Sequence, residues 1–212
     1  MGLGLITSPV GPLQGNCYTI YDDESREGIV IDPGEDGMII NEVISRNGIR
    51  VAAILLTHGH SDHLGAAAEV ASATGAAIHG SAEARAVLSD PDSYVLFPGM
   101  PEFDAADVGV VLAGGEKLDF GPVSVEVIAT PGHTPGSLTY HAYGGLFCGD
   151  LLFSGSVGRT DLPGGSFEEL AASVKKLMMR FPDDTIVYPG HGNATTIGGE
   201  KQGNPFLADL GW

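Results

Sequence analysis

Apolar residues in this chain come in short uninterrupted runs separated by glycine, proline and acidic residues. Val51-Ala52-Ala53-Ile54-Leu55-Leu56 is the clearest. A run of that length reads as a strand buried on both faces. Residues 16–21 and 28–31 predict two more strands with an acidic turn between them, and Asp32-Pro33-Gly34 closes the second. Ile39, Ile40, Val43 and Ile44 fall on one side of a helix over residues 38–47, which Gly48 ends. Another helix is expected over 64–71, a short strand over 76–79, and a short helix over 81–88 begun by Ser81 as its cap. From 110 to 127 the pattern is β-rich, with turns at Gly114-Gly115 and Gly121-Pro122, and 137–142 and 146–148 continue it. Ser166-Phe167-Glu168-Glu169 forms a capping box, after which Leu170, Val174, Leu177 and Phe181 recur at helical spacing until Pro182. Thr185-Ile186-Val187 predicts a last strand. Strands and helices alternating in this way describe an α/β protein.

Length and composition narrow the class. The chain has 212 residues, enough for one well-filled core, and no Ser- or Pro-rich spacer divides it, so a single domain over 1–212 is expected. A formal net charge of −17 with only ten Lys and Arg argues against a nucleic-acid partner. Residues 1–17 lack the charged start and apolar core of a secretory leader, and no apolar stretch approaches a membrane span. Cys17 and Cys148 do not make a disulfide framework. A cytoplasmic protein without a membrane partner is the expectation. The sequence is silent on oligomeric state.

The chemistry is concentrated after the apolar run, in Thr57-His58-Gly59-His60-Ser61-Asp62-His63. A lone histidine in such a loop is usually a satisfied polar residue. Three histidines and an aspartate at this spacing are costly to bury unless something binds them, and these residue types are common metal ligands. Other strand ends carry Thr130-Pro131-Gly132-His133, Cys148-Gly149-Asp150 and Tyr188-Pro189-Gly190-His191. Strand C-termini are where α/β sheets place their ligands. His79 has no ligand-like neighbour in sequence and reads as structural.

Taken together, these motifs resemble the H-x-H-x-D-H signature and the later ligand motifs of the metallo-β-lactamase superfamily. The resemblance covers nearly the whole chain and implies an αββα sandwich with metals at one edge. It implies two divalent metal ions, zinc first, with iron and manganese also suited. His58, His60 and His133 would hold one ion, Asp62, His63 and His191 the other, and Asp150 would bridge them together with a hydroxide nucleophile. Asp62 and Asp150 are then the catalytic carboxylates, and Asp32 is expected behind the ligands, orienting a histidine.

Asp150 narrows the reaction, because lactamases of this superfamily carry Cys or Ser near that position, whereas Asp fits hydrolases of other esters and thioesters. Gly158-Arg159-Thr160-Asp161-Leu162-Pro163-Gly164-Gly165 is similar to a segment of the short glyoxalase II-like hydrolases. This implies cleavage of an acyl thioester such as S-lactoylglutathione, a small-molecule partner. Classical glyoxalase II adds a C-terminal helical domain; this chain ends soon after His191. Arg159 is expected either to pair with a substrate carboxylate or to bond loop carbonyls. The stretch 90–108 interleaves prolines with Tyr94, Phe97 and Phe103. A loop of this length is usually functional, so Tyr94 and Phe97 are expected to contact substrate; the alternative is a surface loop packed on its own rings. Competing readings are a mononuclear iron persulfide dioxygenase using His58, His133 and Asp150, a lactonase or other ester hydrolase, and a non-enzymatic metal-binding module.

Overall fold

The computed structural model describes residues 2–94 and 102–210. Two six-stranded sheets pack face to face. The first runs in chain order: β1 (Leu3–Val10), β2 (Gly15–Asp22), β3 (Glu27–Ile31), β4 (Arg50–Leu55), β5 (Ala77–Gly80) and β6 (Val110–Val111). β1 to β3 pair antiparallel, and β3 to β6 pair parallel. The second sheet has the order β14 (Thr195–Thr196), β13 (Ile186–Pro189), β10 (Gly145–Gly149), β9 (Leu138–Ala142), β8 (Val123–Ala129) and β7 (Lys117–Phe120), with β10 and β13 parallel and the other neighbours antiparallel. A small hairpin, β11 (Leu152–Phe153) with β12 (Ser156–Val157), follows β10.

Helices cover both outer faces. α1 (Gly37–Arg46), α3 (Ala67–Thr74) and α4 (Ala82–Ser89) share an apolar cluster with the first sheet, and the single turn α2 (Ser61–Leu64) joins it through Leu64. α5 (Phe167–Arg180) and α6 (Ile197–Gly203) cover the second sheet. This is the αββα layering expected from sequence.

The central strands explain why the sequence shows apolar runs rather than alternation. In β3, Ile29 and Ile31 join the cluster between the sheets, with Val125, Val127 and Tyr140, while Val30 joins the outer one with Ile40 and Val70. β4 repeats the pattern, with Ala53 and Leu55 inward and Ile54 outward. Both faces are dry over residues 28–31 and 53–55, so those stretches carry no polar side chain.

The two sheets are tied together where the ligand loops leave them. Tyr140 Oη donates to the Leu56 carbonyl at 2.6 Å, and Leu138 N–H to that of Thr57 at 2.7 Å. Tyr18 Oη donates to the Pro189 carbonyl at 2.6 Å, and Asn16 Nδ2 bonds the carbonyls of Pro189 and Gly192 at 3.0 and 2.9 Å. Each bond reaches from one sheet to the end of a ligand-bearing strand in the other, so the two halves of the site share one frame.

Three local expectations are corrected. β1 is a full strand where the sequence reading had none. Its glycines and Pro9 lower strand propensity, and pairing with β2 from Leu3↔Asp22 to Val10↔Gly15 outweighs them. The helix expected over 64–71 is two helices. Gly65 and Ala66 interrupt it, and the Ala66 N–H is drawn off to the Pro33 and Gly34 carbonyls at 3.0 and 2.9 Å. α1 buries Ile40 and Ile44 but leaves Ile39 52% exposed, so its apolar stripe is narrower than expected.

Candidate metal centre

All the expected ligands lie beyond strand ends. His58 and His60 follow β4, and His60 caps α2, whose single turn carries Asp62 and His63. His133 follows β8, Asp150 follows β10 and His191 follows β13. The first sheet thus supplies one loop and the second sheet three.

These side chains converge into two groups. His58, His60 and His133 each place a ring nitrogen within 4.8 Å of the others, and the ligand atoms of Asp62, His63 and His191 do the same. In the first group His60 Nδ1 lies 2.9 Å from His133 Nε2. In the second, His191 Nε2 lies 3.3 Å from His63 Nε2 and 3.2 Å from Asp62 Oδ2. Asp150 sits between the groups. Its Oδ1 is 3.3 Å from His63 Nε2 and 3.7 Å from His191 Nε2, and its Oδ2 is 3.6 Å from His133 Nε2.

The bonds behind the rings set the tautomers. His133 Nδ1 lies 2.7 Å from the Arg159 carbonyl and His191 Nδ1 lies 3.1 Å from that of Leu13. A carbonyl only accepts, so both Nδ1 atoms carry hydrogen and both Nε2 atoms face the site. Asp32 does the same for two more rings. It accepts from the Thr57 N–H at 2.7 Å and the Thr57 hydroxyl at 2.6 Å, and it lies 3.0 Å from His63 Nδ1. Because the Thr57 hydroxyl proton goes to Asp32, Thr57 Oγ1 must accept from His58 Nδ1, 3.0 Å away. His58 Nε2 is therefore an unprotonated lone pair, and it is buried with no hydrogen-bond partner. An unsatisfied buried acceptor costs roughly 1–3 kcal/mol. Asp150 Oδ1 is likewise buried and without a hydrogen-bond partner. Bare nitrogen and carboxylate donors gathered around the same point fit a metal site.

The two groups differ electrically. Burial and the neighbouring imidazoles push His58 well below its ordinary value, and burial with His133 pushes His60 down to about 4. Burial acts the same way on His63, yet the carboxylates of Asp150 and Asp32 raise it well above its ordinary value. Hydrogen bonding to Asp62 raises His191. Burial opposes charge on Asp62 and Asp150, but His191 and His63 hold both carboxyls below the usual range.

Two glycines are needed by close approach. A Cβ on Gly190 would strike Asp150 Oδ1 and the His63 ring, and a Cβ on Gly158 would strike the Asp150 carbonyl. The motif glycines are thus part of the packing around Asp150, a role the sequence reading did not assign. Thr57 and the Leu13 carbonyl were also missed. Thr57 stood in view within the ligand loop. The Leu13 carbonyl left no signal, because any residue has one.

The expected substrate contacts fare differently. The side chain of Arg159 is 60% exposed and is engaged by Asp161, with Nε to Oδ1 at 2.7 Å and Nη2 to Oδ2 at 2.8 Å. Arg159 reaches the site through its main-chain carbonyl instead. Tyr94 packs edge-on against Phe103, with ring centroids 6.4 Å apart, and Phe103 rests on the outer cluster of the first sheet. The Tyr94 hydroxyl is buried with no hydrogen-bond partner among the described residues, within electrostatic reach of Asp62 and Glu83. Phe97 lies outside the described residues. His79 stays apart from the cluster, beside Phe120, and His141 lies near Glu126. No described helix is long and apolar enough to cross a membrane.

Comparison with known proteins points one way. A hydroxyacylglutathione hydrolase, GloC of Haemophilus influenzae, is 39% identical over 94% of this chain and 95% of its own length. A solved structure named BLEG-1 B3 metallo-β-lactamase superposes with a TM-score of 0.91 at 37% identity, covering 97% of this chain and all of that one. TTHA1623, solved in a di-iron-bound form, gives a TM-score of 0.76 at 34% identity over 95% of this chain and all of its own. The model of the metallo-beta-lactamase superfamily, whose members bind divalent metals, matches residues 10–191, and the chain belongs to that family.

Proposed function

We propose that this chain is a metal-dependent hydrolase of acyl thioesters, with S-lactoylglutathione as the model substrate. The observation that carries the reading is Asp150, whose two carboxylate oxygens face different ligand groups. That arrangement suits two cations held side by side: His58, His60 and His133 on one, Asp62, His63 and His191 on the other, and Asp150 shared. Zinc is the first choice; the di-iron form of a relative supports iron as an alternative.

Divalent ions bound there would lower the pKa of water from about 15.7 to about 7 and polarise a substrate carbonyl. The chain's own groups do the positioning. Asp32 and Thr57 hold His58 and His63 in the tautomers that present Nε2, and the carbonyls of Arg159 and Leu13 do so for His133 and His191. Outer bonds of this kind also raise ligand basicity. A thiol of pKa about 8.5 leaves as thiolate without a strong acid beside it, which suits a site built from bases and carboxylates. The name of the Haemophilus influenzae relative supports the same substrate class.

A second reading, β-lactam hydrolysis, is favoured by the name of the structural neighbour that superposes with a TM-score of 0.91. One experiment separates the two. Zinc-loaded protein is assayed against S-lactoylglutathione, by loss of thioester absorbance, and against a chromogenic cephalosporin. Turnover of the thioester with little of the lactam is expected; the reverse would overturn the thioesterase assignment.

A further inference from the structure

α4 lies between the two loops that build the first ligand group. On one side it abuts the His58–His60 turn: a Cβ on Gly59 would meet Val87 Cγ2 at 3.3 Å and Ala84 Cα at 3.5 Å. On the other side it holds the loop that carries His133. Glu83, in the first turn of α4, accepts from the Thr134 hydroxyl and from the Gly136 N–H, both at 2.6 Å. Gly136 lies against Glu83 and Ser81 so closely that a Cβ there would strike both side chains. Thr134 and Ser137 are themselves buried, and the Thr134 N–H bonds Ser137 Oγ at 3.1 Å. The loop after His133 is therefore fastened to α4, and Glu83 is the fastening.

We propose that Glu83 is a positioning residue for the first metal: it sets how far His133 stands from His58 and His60. The inference rests on the metal assignment above. Among the described residues nothing comparable ties Glu83 to the second group, whose rings are held by Asp32 and by the Leu13 carbonyl. Both bonds that Glu83 accepts end on the same oxygen, Oε2. A glutamine can present one oxygen in that place and keep both bonds, whereas alanine keeps neither. Geometry and charge are thus separable at this position.

The test is stepwise metal binding to the metal-free full chain, followed by calorimetry with zinc and by the visible spectrum with cobalt. His60→Ala identifies which step belongs to the first group. Glu83→Ala is expected to weaken that step by about 10–100-fold, the usual effect of losing a bond behind a ligand. The other step should hold within about threefold, which also shows that the variant is folded. Glu83→Gln should bind both ions as the parent does. Equal weakening of both steps in Glu83→Ala, no change in either, or a Glu83→Gln as impaired as Glu83→Ala would each overturn the positioning role. A parent chain that takes up fewer than two ions would instead remove the metal assignment, and this inference with it.

Discussion

The two ligand groups lie on either side of Asp150, yet they are built on opposite principles. The first is three imidazoles with no carboxylate of its own. Burial and mutual repulsion keep His58 and His60 unprotonated at neutral pH. The second gathers Asp62 beside His63 and His191, with Asp150 and Asp32 in contact with His63, and the carboxylates raise the proton affinity of both imidazoles. In the first group His58 and His60 meet a cation with little competition from protons. The second binds protons more strongly and must give up any it holds to take up a cation. Two sites that look equivalent in a motif are therefore unequal in chemistry.

The largest effect is expected where the two groups meet. Asp150→Ala removes the one side chain that faces both, so both binding steps should weaken and thioesterase turnover should fall by about 10³-fold or more. His60→Ala should abolish only the first step while reducing turnover comparably. An Asp150→Ala variant that still binds two ions tightly would show that the groups are independent and that the carboxylate is not shared.

The difference in proton affinity gives a smaller but sharper effect. His63 and His191 are raised above their ordinary value, so binding at the second group competes with protons. Its affinity should rise with pH through the neutral range, by about tenfold per pH unit for each proton displaced. The first group, with His60 pushed down to about 4 and His58 also depressed, should show a shallower rise over the same range. Proton release measured by calorimetry in buffers of different ionisation enthalpy checks this. Equal release in both steps would erase the distinction.

How much of this was legible in the sequence depends on the scale of the interaction. The clustering of histidines and carboxylates was, because few residue types can ligate a metal and the loop His58–His63 packs four of them together. The buried strands were, because double burial leaves an unbroken apolar run. β1 was not, since its stability comes from pairing with β2 rather than from its own residues. The break at Gly65 was not, since the competing acceptors are carbonyls some thirty residues earlier, at Pro33 and Gly34. The asymmetry between the ligand groups was also hidden. It arises from which carboxylate faces which ring, and that is a fact of tertiary packing. Thr57 shows the boundary well: it stood beside His58 in the motif, but its role depends on Asp32, brought to it from the end of β3.

Arg159 gives the smallest expected effect and a clean way to separate main chain from side chain. Sequence reasoning placed its guanidinium either on a substrate carboxylate or on loop carbonyls. In the structure the Nε–Nη2 edge is taken up by Asp161 on the exposed surface, while its carbonyl holds His133 in the first group. Replacing the side chain leaves that carbonyl in place. Exposed ion pairs contribute little, so Arg159→Ala should leave both metal-binding steps unchanged and shift kcat/KM by about twofold or less. The shift should be the same for an anionic and a neutral thioester. A KM that rises several-fold for the anionic substrate alone would mean that the guanidinium leaves Asp161 when substrate arrives, and that the pairing with Asp161 is a resting position rather than a permanent one.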